Sequence, residues 1–171
     1  ARDIKNHTLA HIDLYLERFE ARVTEQGGKV HWARNAKEAC DHVIDICRSL
    51  DAKMVTKGKS MVSEEIALNT ALEGEGLEVV ETDLGEYIIQ LRDEAPSHII
   101  APAIHVLKEQ VAENFRSKHK DLDPDRQLEE PTQLIQEARQ VLRQKYLDSD
   151  VGITGANFLI AETGTSVIVT N

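Results

Sequence analysis

The chain is 171 residues long and 41% hydrophobic, enough for one globular domain with a substantial core, and its 4% aromatic content leaves that core to Leu, Ile, Val and Ala. A formal charge of −10 argues against a nucleic-acid partner, which would need a basic face. No apolar run approaches the ~20 residues of a membrane span, and the charged start Ala1-Arg2-Asp3 is not a secretory leader, so a soluble, cytoplasmic domain is expected.

In chain order, Leu9, Ile12, Leu16, Phe19 and Val23 recur at helical spacing and predict an amphipathic N-terminal helix ended by Gly27-Gly28. A short strand over 29–33 and a helix over 36–50 follow. That helix carries Cys40 and Cys47 on one face with Ala36, Val43 and Leu50. Two helical turns, ~10 Å, separate the thiols, too far for a disulfide, and buried core thiols are the expected state. A strand over 53–56 leads through Lys57-Gly58-Lys59-Ser60 into a helix beginning at Ser63, with Glu64 and Glu65 in its first turn.

Strand 77–81, helix 84–91, strand 98–101 and a helix through Val106, Val111 and Phe115 come next. A polar surface connection fills 117–131, and Pro131 opens a helix with the stripe Leu134, Ile135, Ala138, Val141, Leu142 and Tyr146. Residues 157–170 read as a hairpin or two adjacent buried strands around Thr163-Gly164. Alternating strands and helices imply one α/β domain, its largely parallel sheet flanked by helices. The stop at Asn171, directly after a β-forming run, suggests a fragment of a longer polypeptide.

Several segments can carry chemistry. Lys57-Gly58-Lys59-Ser60, between strand and helix, offers two lysines and backbone amides to a carboxylate or phosphate; a solvated turn is the plainer alternative. It is not a Walker A loop, because the glycine that motif needs at position 53 is Lys53. In Gly152-Ile153-Thr154-Gly155-Ala156-Asn157, glycines without Cβ atoms let amides and the Thr154 hydroxyl approach an anion, unless the segment is only a tight turn. Glu162, before Thr163-Gly164-Thr165, is a candidate general base or nucleophile, or a group that orients a substrate hydroxyl, or else a turn residue facing water. Asp83 and Glu86 are spaced as a capping box. His7 and His11, one helical turn apart, can meet a metal, though no third ligand is in view and a solvated pair is the plainer reading. His98 and His105 flank the expected 98–101 strand, and His105 is a proton-transfer candidate.

Four blocks, taken together and in order, resemble the LUD domain family: Lys57 through Ile66, Asp83-Leu84-Gly85-Glu86-Tyr87-Ile88, Pro96 through Pro102, and Gly152 through Asn171. The resemblance is to the form found at the N-terminus of iron–sulfur electron-transport proteins of lactate utilisation. It implies a NagB/RpiA/CoA-transferase-like fold and a part, with two partner proteins, in oxidising L-lactate to pyruvate. It also implies [4Fe–4S] clusters on ferredoxin-type cysteine motifs after the LUD domain; this chain has no such motif, so no metal or cofactor is expected within it. On this reading Lys57, Lys59, Ser60, Thr154, Gly155, Ala156, Thr163 and Gly164 would bind a small carboxylate or phosphate, with Glu162 catalytic. The fold resemblance leaves two alternatives, a CoA- or phosphate-ester transferase, isomerase or ligase, with Glu162 as nucleophile in the transferase case, and a non-catalytic assembly module.

Overall fold

A computed structural model describes residues 1–97 and 100–169. Helices α1 (Arg2–Ala10) and α2 (Ile12–Glu25) lead into α3 (Ala36–Ser49). Strand β1 (Met54–Gly58) is followed by α4 (Met61–Glu65) and α5 (Leu68–Gly74). Then come β2 (Glu78–Glu81), α6 (Leu84–Arg92), α7 (Lys108–Lys118), α8 (Pro131–Asp148) and β3 (Val151–Thr154). Strands β4 (Phe158–Ile160) and β5 (Thr165–Val167) form a separate antiparallel hairpin.

The main sheet is parallel throughout, in the order β2-β1-β3, with Lys57 opposite Glu81 and Gly58 opposite Thr154. Alternation along the strands sends successive side chains to opposite faces. Val55 and Val79 therefore enter a core with Cys40, Cys47, Leu68 and Leu72, under α3 and α5. Val80 enters a second core with Tyr87, Phe115, Leu134 and Leu142, under α6, α7 and α8. The expected parallel sheet flanked by helices, with helix at the N-terminus, is what the molecule has, and both cysteines are buried free thiols.

Some local expectations change. The N-terminal helix is two helices, broken at His11, and neither contains a buried residue. No strand forms over 29–33: the Trp32 indole N–H donates to Glu20 (3.0 Å), its carbonyl meets His42 (3.0 Å), and no strand partner lies alongside among the described residues. Lys57 and Gly58 extend β1 instead of forming a loop. Ser60, not Ser63, caps the following helix by accepting from the Ser63 amide. Of the strand expected over 98–101, His98 and Ile99 lie outside the described residues, while Ile100 sits in a turn. Thr170 and Asn171, the end of the expected last strand, lie outside them too.

The connection over 117–131 is not wholly surface. Leu128 is buried, and Arg126 folds back onto the buried Glu137 carboxylate (Nε to Oε2 2.6 Å), which also meets His119 Nδ1 (2.7 Å). Burial alone would raise the Glu137 carboxyl, but these two partners outweigh it and hold it below the usual range. The other His119 nitrogen meets the Tyr87 hydroxyl (2.8 Å), whose pKa burial and the Glu137 charge push up to about 12. This network ties the connection to α6 and α8. Phe115, with no exposed surface, packs on Tyr87 and His119. Phe115→Ala should therefore cost about 3–5 kcal/mol, read as a lowered urea midpoint with an unchanged slope.

Candidate functional site at the carboxyl end of the sheet

The three parallel strands end together, and the chemistry-bearing residues collect on both sides of that edge. On the α5 side, the register that sets Lys57 beside Glu81 puts both side chains on one face of the sheet. Lys57 is 1% exposed and Glu81 5%. The ammonium lies 2.7 Å from Glu81 Oε1 and donates to Ser63 Oγ at 3.0 Å. Asn69 Nδ2 donates to the same Glu81 oxygen (2.7 Å), and Ser63 Oγ in turn donates to the Ser60 carbonyl (2.6 Å). Lys57 thus presents Ser63 with a donor, not a base, and anchors the turn between β1 and α4.

Glu86 joins this cluster from the first turn of α6. It does not complete the expected capping box: Asp83 alone caps, accepting from the Gly85 amide (3.1 Å), while Glu86 turns inward and is 9% exposed. Burial, and then the Glu81 charge, push its pKa up to about 7, against a lowering by Lys57; Asp83 and Glu64 add to the rise.

On the α8 side, Thr56, Gly58, Lys59, Thr82, Gly152, Thr154 and Tyr146 are among the residues lining an open cleft of about 530 Å³. This is the carboxyl end of parallel strands, where open α/β sheets place their ligands. Lys59 adopts a left-handed backbone (φ 58°) and pairs with Asp83 at 2.8 Å, which raises its own pKa. Burial would raise the Asp83 carboxyl, but Lys59 and the Gly85 and Glu86 amides hold it below the usual range. The strand ends meet so closely that a Cβ at Gly155 would lie 2.2 Å from the Lys59 carbonyl oxygen, and one at Gly58 2.7 Å from the Thr82 hydroxyl. Gly155 lets the chain leaving β3 close on the chain leaving β1, and Gly58 lets β1 close on the residue that follows β2.

The residues singled out from sequence divide between these places. Lys59 and Thr154 line the cleft, and Gly155 packs beside Lys59. Lys57 is sealed beneath the sheet edge, Ser60 is a helix cap, and Ala156 is exposed just past β3. Glu162, Thr163 and Gly164 form the β4–β5 turn, which sits on α2. Glu162 has a 76%-exposed side chain 3.8 Å from Arg18, and Gly164 (φ 72°) approaches α2 so closely that a Cβ would lie 2.7 Å from the Val23 nitrogen. His105 meets Ser97 and Glu94 at the surface, and the His7 and His11 rings lie 4.7 Å apart on exposed α1 and its boundary with α2. Among the described residues no three His, Cys, Asp or Glu are grouped to hold a metal.

Sequence reasoning missed Glu81 and Asn69, and read Glu86 as part of a capping box beside the cleft and not as a buried carboxylate. One signal was available: Glu86 shares a helical stripe with Ile89, a buried face on which a carboxylate is out of place.

The sequence profile of the LUD domain family matches residues 16–171. The chain belongs to the LUD domain family. The chain is similar, over its whole length, to lactate utilization protein B of Bacillus velezensis (48% identical) and of Bacillus licheniformis (48%), and to that of Bacillus subtilis (46%). In each case it covers 35% of the relative, so it spans about a third of the length of these curated relatives. No solved structure matches. In this LUD domain the described residues thus offer an open cleft with a lysine and several hydroxyls on one face of the sheet. On the other face they offer a buried cluster of one lysine and two glutamates.

Removing one partner of the buried pair should be far worse than removing both. Lys57→Met alone leaves Glu81 buried without its cation and should cost about 3–5 kcal/mol, whereas Lys57→Met with Glu81→Leu should restore most of that stability, measured as a double-mutant cycle in urea. Glu86 adds a pH dependence. Folded, it holds its proton up to about 7, while unfolded it releases it near 4.5. Its contribution is therefore full below about pH 4.5 and is lost as pH rises through 7, by about 3 kcal/mol at most. Glu86→Gln should flatten that slope, facing the same Lys57, Glu81, Asp83 and Glu64.

Proposed function

We propose that this LUD domain is the substrate-holding portion of a lactate-utilisation protein, an iron–sulfur oxidoreductase component that takes part in oxidising L-lactate to pyruvate with two partner proteins. The observation that carries this reading is the 46–48% identity, over the whole chain, to proteins named lactate utilization protein B. In support, the cleft at the strand ends combines the Lys59 ammonium, which suits a carboxylate, with the hydroxyl oxygens of Thr82 and Thr154, which donate to the Lys57 and Gly155 carbonyls and can accept from a 2-hydroxyl. Lys59 would share its ammonium between Asp83 and the substrate carboxylate, with Gly155 keeping the β3 end close enough for Thr154 to reach the 2-hydroxyl. Glu162, Thr163 and Gly164 would seat the hairpin on α2 and take no part in binding.

The chain's own residues do not fit a [4Fe–4S] cluster, which needs four thiolates: Cys40 and Cys47 are both buried in the α3 core, and Cys47 burial pushes its thiol pKa up. In this reading the clusters, the two-electron acceptor and the partner contacts lie outside these 171 residues, in the longer protein. No electron-transfer step is assigned to a residue of this domain. A resemblance to NagB/RpiA-type folds stays part of the same proposal.

The test is genetic and biochemical together. In a strain deleted for the gene and complemented with the full-length protein, Lys59→Ala or Thr154→Val should slow growth on L-lactate but not on glucose. Each variant should also weaken L-lactate binding roughly tenfold, the loss of one charge-assisted or hydroxyl hydrogen bond. Unchanged growth on L-lactate with normal protein levels would remove the cleft from the proposal, and unimpaired growth of the deletion strain itself would remove the lactate assignment.

A further inference from the structure

Three apolar side chains border the cleft at the strand ends, and the binding of a small carboxylate by Lys59 and the threonines uses none of them. Leu84 is the first residue of α6, Tyr146 lies near the end of α8, and Ile168 directly follows β5. All three are open to solvent, at 38%, 57% and 42% exposure respectively. Lone exposed apolar side chains are ordinary, but three from separate elements around one cavity form a patch of the kind that receives a ligand.

The cleft also has room that lactate leaves unused. Its volume, about 530 Å³, lies in the range that holds drug-sized ligands, whereas a three-carbon acid fills a small part of it. The sheet beneath is bare at Gly152: among the described residues, the nearest atom that a Cβ there would meet is the Thr56 hydroxyl oxygen, at 3.9 Å. Charge is confined to one end. Lys59 and Asp83, 2.8 Å apart, are the charged residues among those described as lining the cleft. Leu84 follows Asp83 directly, so the apolar border begins beside the ion pair. Thr154, opposite Gly58 in the strand register, stands at the same end.

We propose that the cleft prefers 2-hydroxy carboxylates that carry a bulky apolar side chain, branched aliphatic or aromatic, over lactate itself, and that this side chain sits against Leu84, Tyr146 and Ile168. The inference rests on the assignment of the cleft to a 2-hydroxy carboxylate and adds to it the chemistry of the remaining substituent. With the carboxylate at Lys59 and the 2-hydroxyl at Thr154, that substituent is left to the wall supplied by α6, α8 and the chain after β5. Lactate offers the wall only a methyl group, so most of the wall stays wet. A larger apolar group removes it from water, which tightens binding in proportion to the area covered. A second carboxylate at that position is a poor fit, because the cation among the lining residues, Lys59, already meets Asp83 and would have to serve the first carboxylate too.

Isothermal titration of the purified full-length protein with L-3-phenyllactate, L-lactate and L-malate tests this. L-3-Phenyllactate should bind about tenfold tighter than L-lactate or better, and L-malate no tighter than L-lactate. Tyr146→Ser and, separately, Ile168→Ser should each remove most of that margin, with the L-lactate affinity and the far-ultraviolet circular dichroism unchanged. Equal affinity for L-3-phenyllactate and L-lactate, a margin that survives both substitutions, or tighter binding of L-malate would each overturn the inference and leave the lactate assignment standing. If neither L-lactate nor L-3-phenyllactate binds, or if Lys59→Ala leaves both affinities unchanged, the assignment of the cleft falls and the inference falls with it.

Discussion

Lys57 heads the largest fully buried side chains of the described molecule, and a buried ammonium is tolerated only where an opposite charge and further acceptors meet it. Glu81 and Ser63 do so, and each arrives by a different route. Glu81 comes from the neighbouring strand through the parallel register, Ser63 from the turn that leads into α4. One side chain therefore fixes the relative position of β1, β2 and the chain that leaves β1. Everything functional at the strand ends inherits that alignment. Lys59, two residues on, takes a left-handed backbone and lines the cleft on the other face of the sheet.

The two faces of the sheet edge consequently differ in kind. One has a cleft with a lysine paired to Asp83 and ringed by threonines; the other has acidic groups gathered over a single buried cation. The raised pKa of Glu86 follows from the same crowding: one ammonium cannot neutralise two buried carboxylates.

Much of the fold was legible from the sequence because its signals are local. Proline at the start of α8, the apolar stripe behind it and the alternation of short apolar runs with helices gave the parallel sheet and its helical layers. What was hidden depends on contacts between distant segments. Lys57 reads as a loop lysine beside Gly58, and only the pairing with Glu81, 24 positions away, makes it a core residue. The glycine-rich stretch reads as one site, yet its halves part: Gly155 abuts Lys59 while Gly164 abuts α2. Glu162 drew notice as an acid between apolar runs, but β4 beside it is exposed, so the desolvation that would make such a carboxylate unusual is missing.

The central claim is that the cleft at the carboxyl ends of β1 and β3 receives a small carboxylate, and it is most directly tested by nuclear magnetic resonance titration of the ¹⁵N-labelled chain with L-lactate. Saturable shifts are expected at the amides of Gly58, Lys59, Gly152 and Thr154, with those of Asn69 and Glu86 across the sheet unmoved. Shifts confined to the β4–β5 turn around Glu162, or to the buried cluster of Asn69 and Glu86, would contradict it.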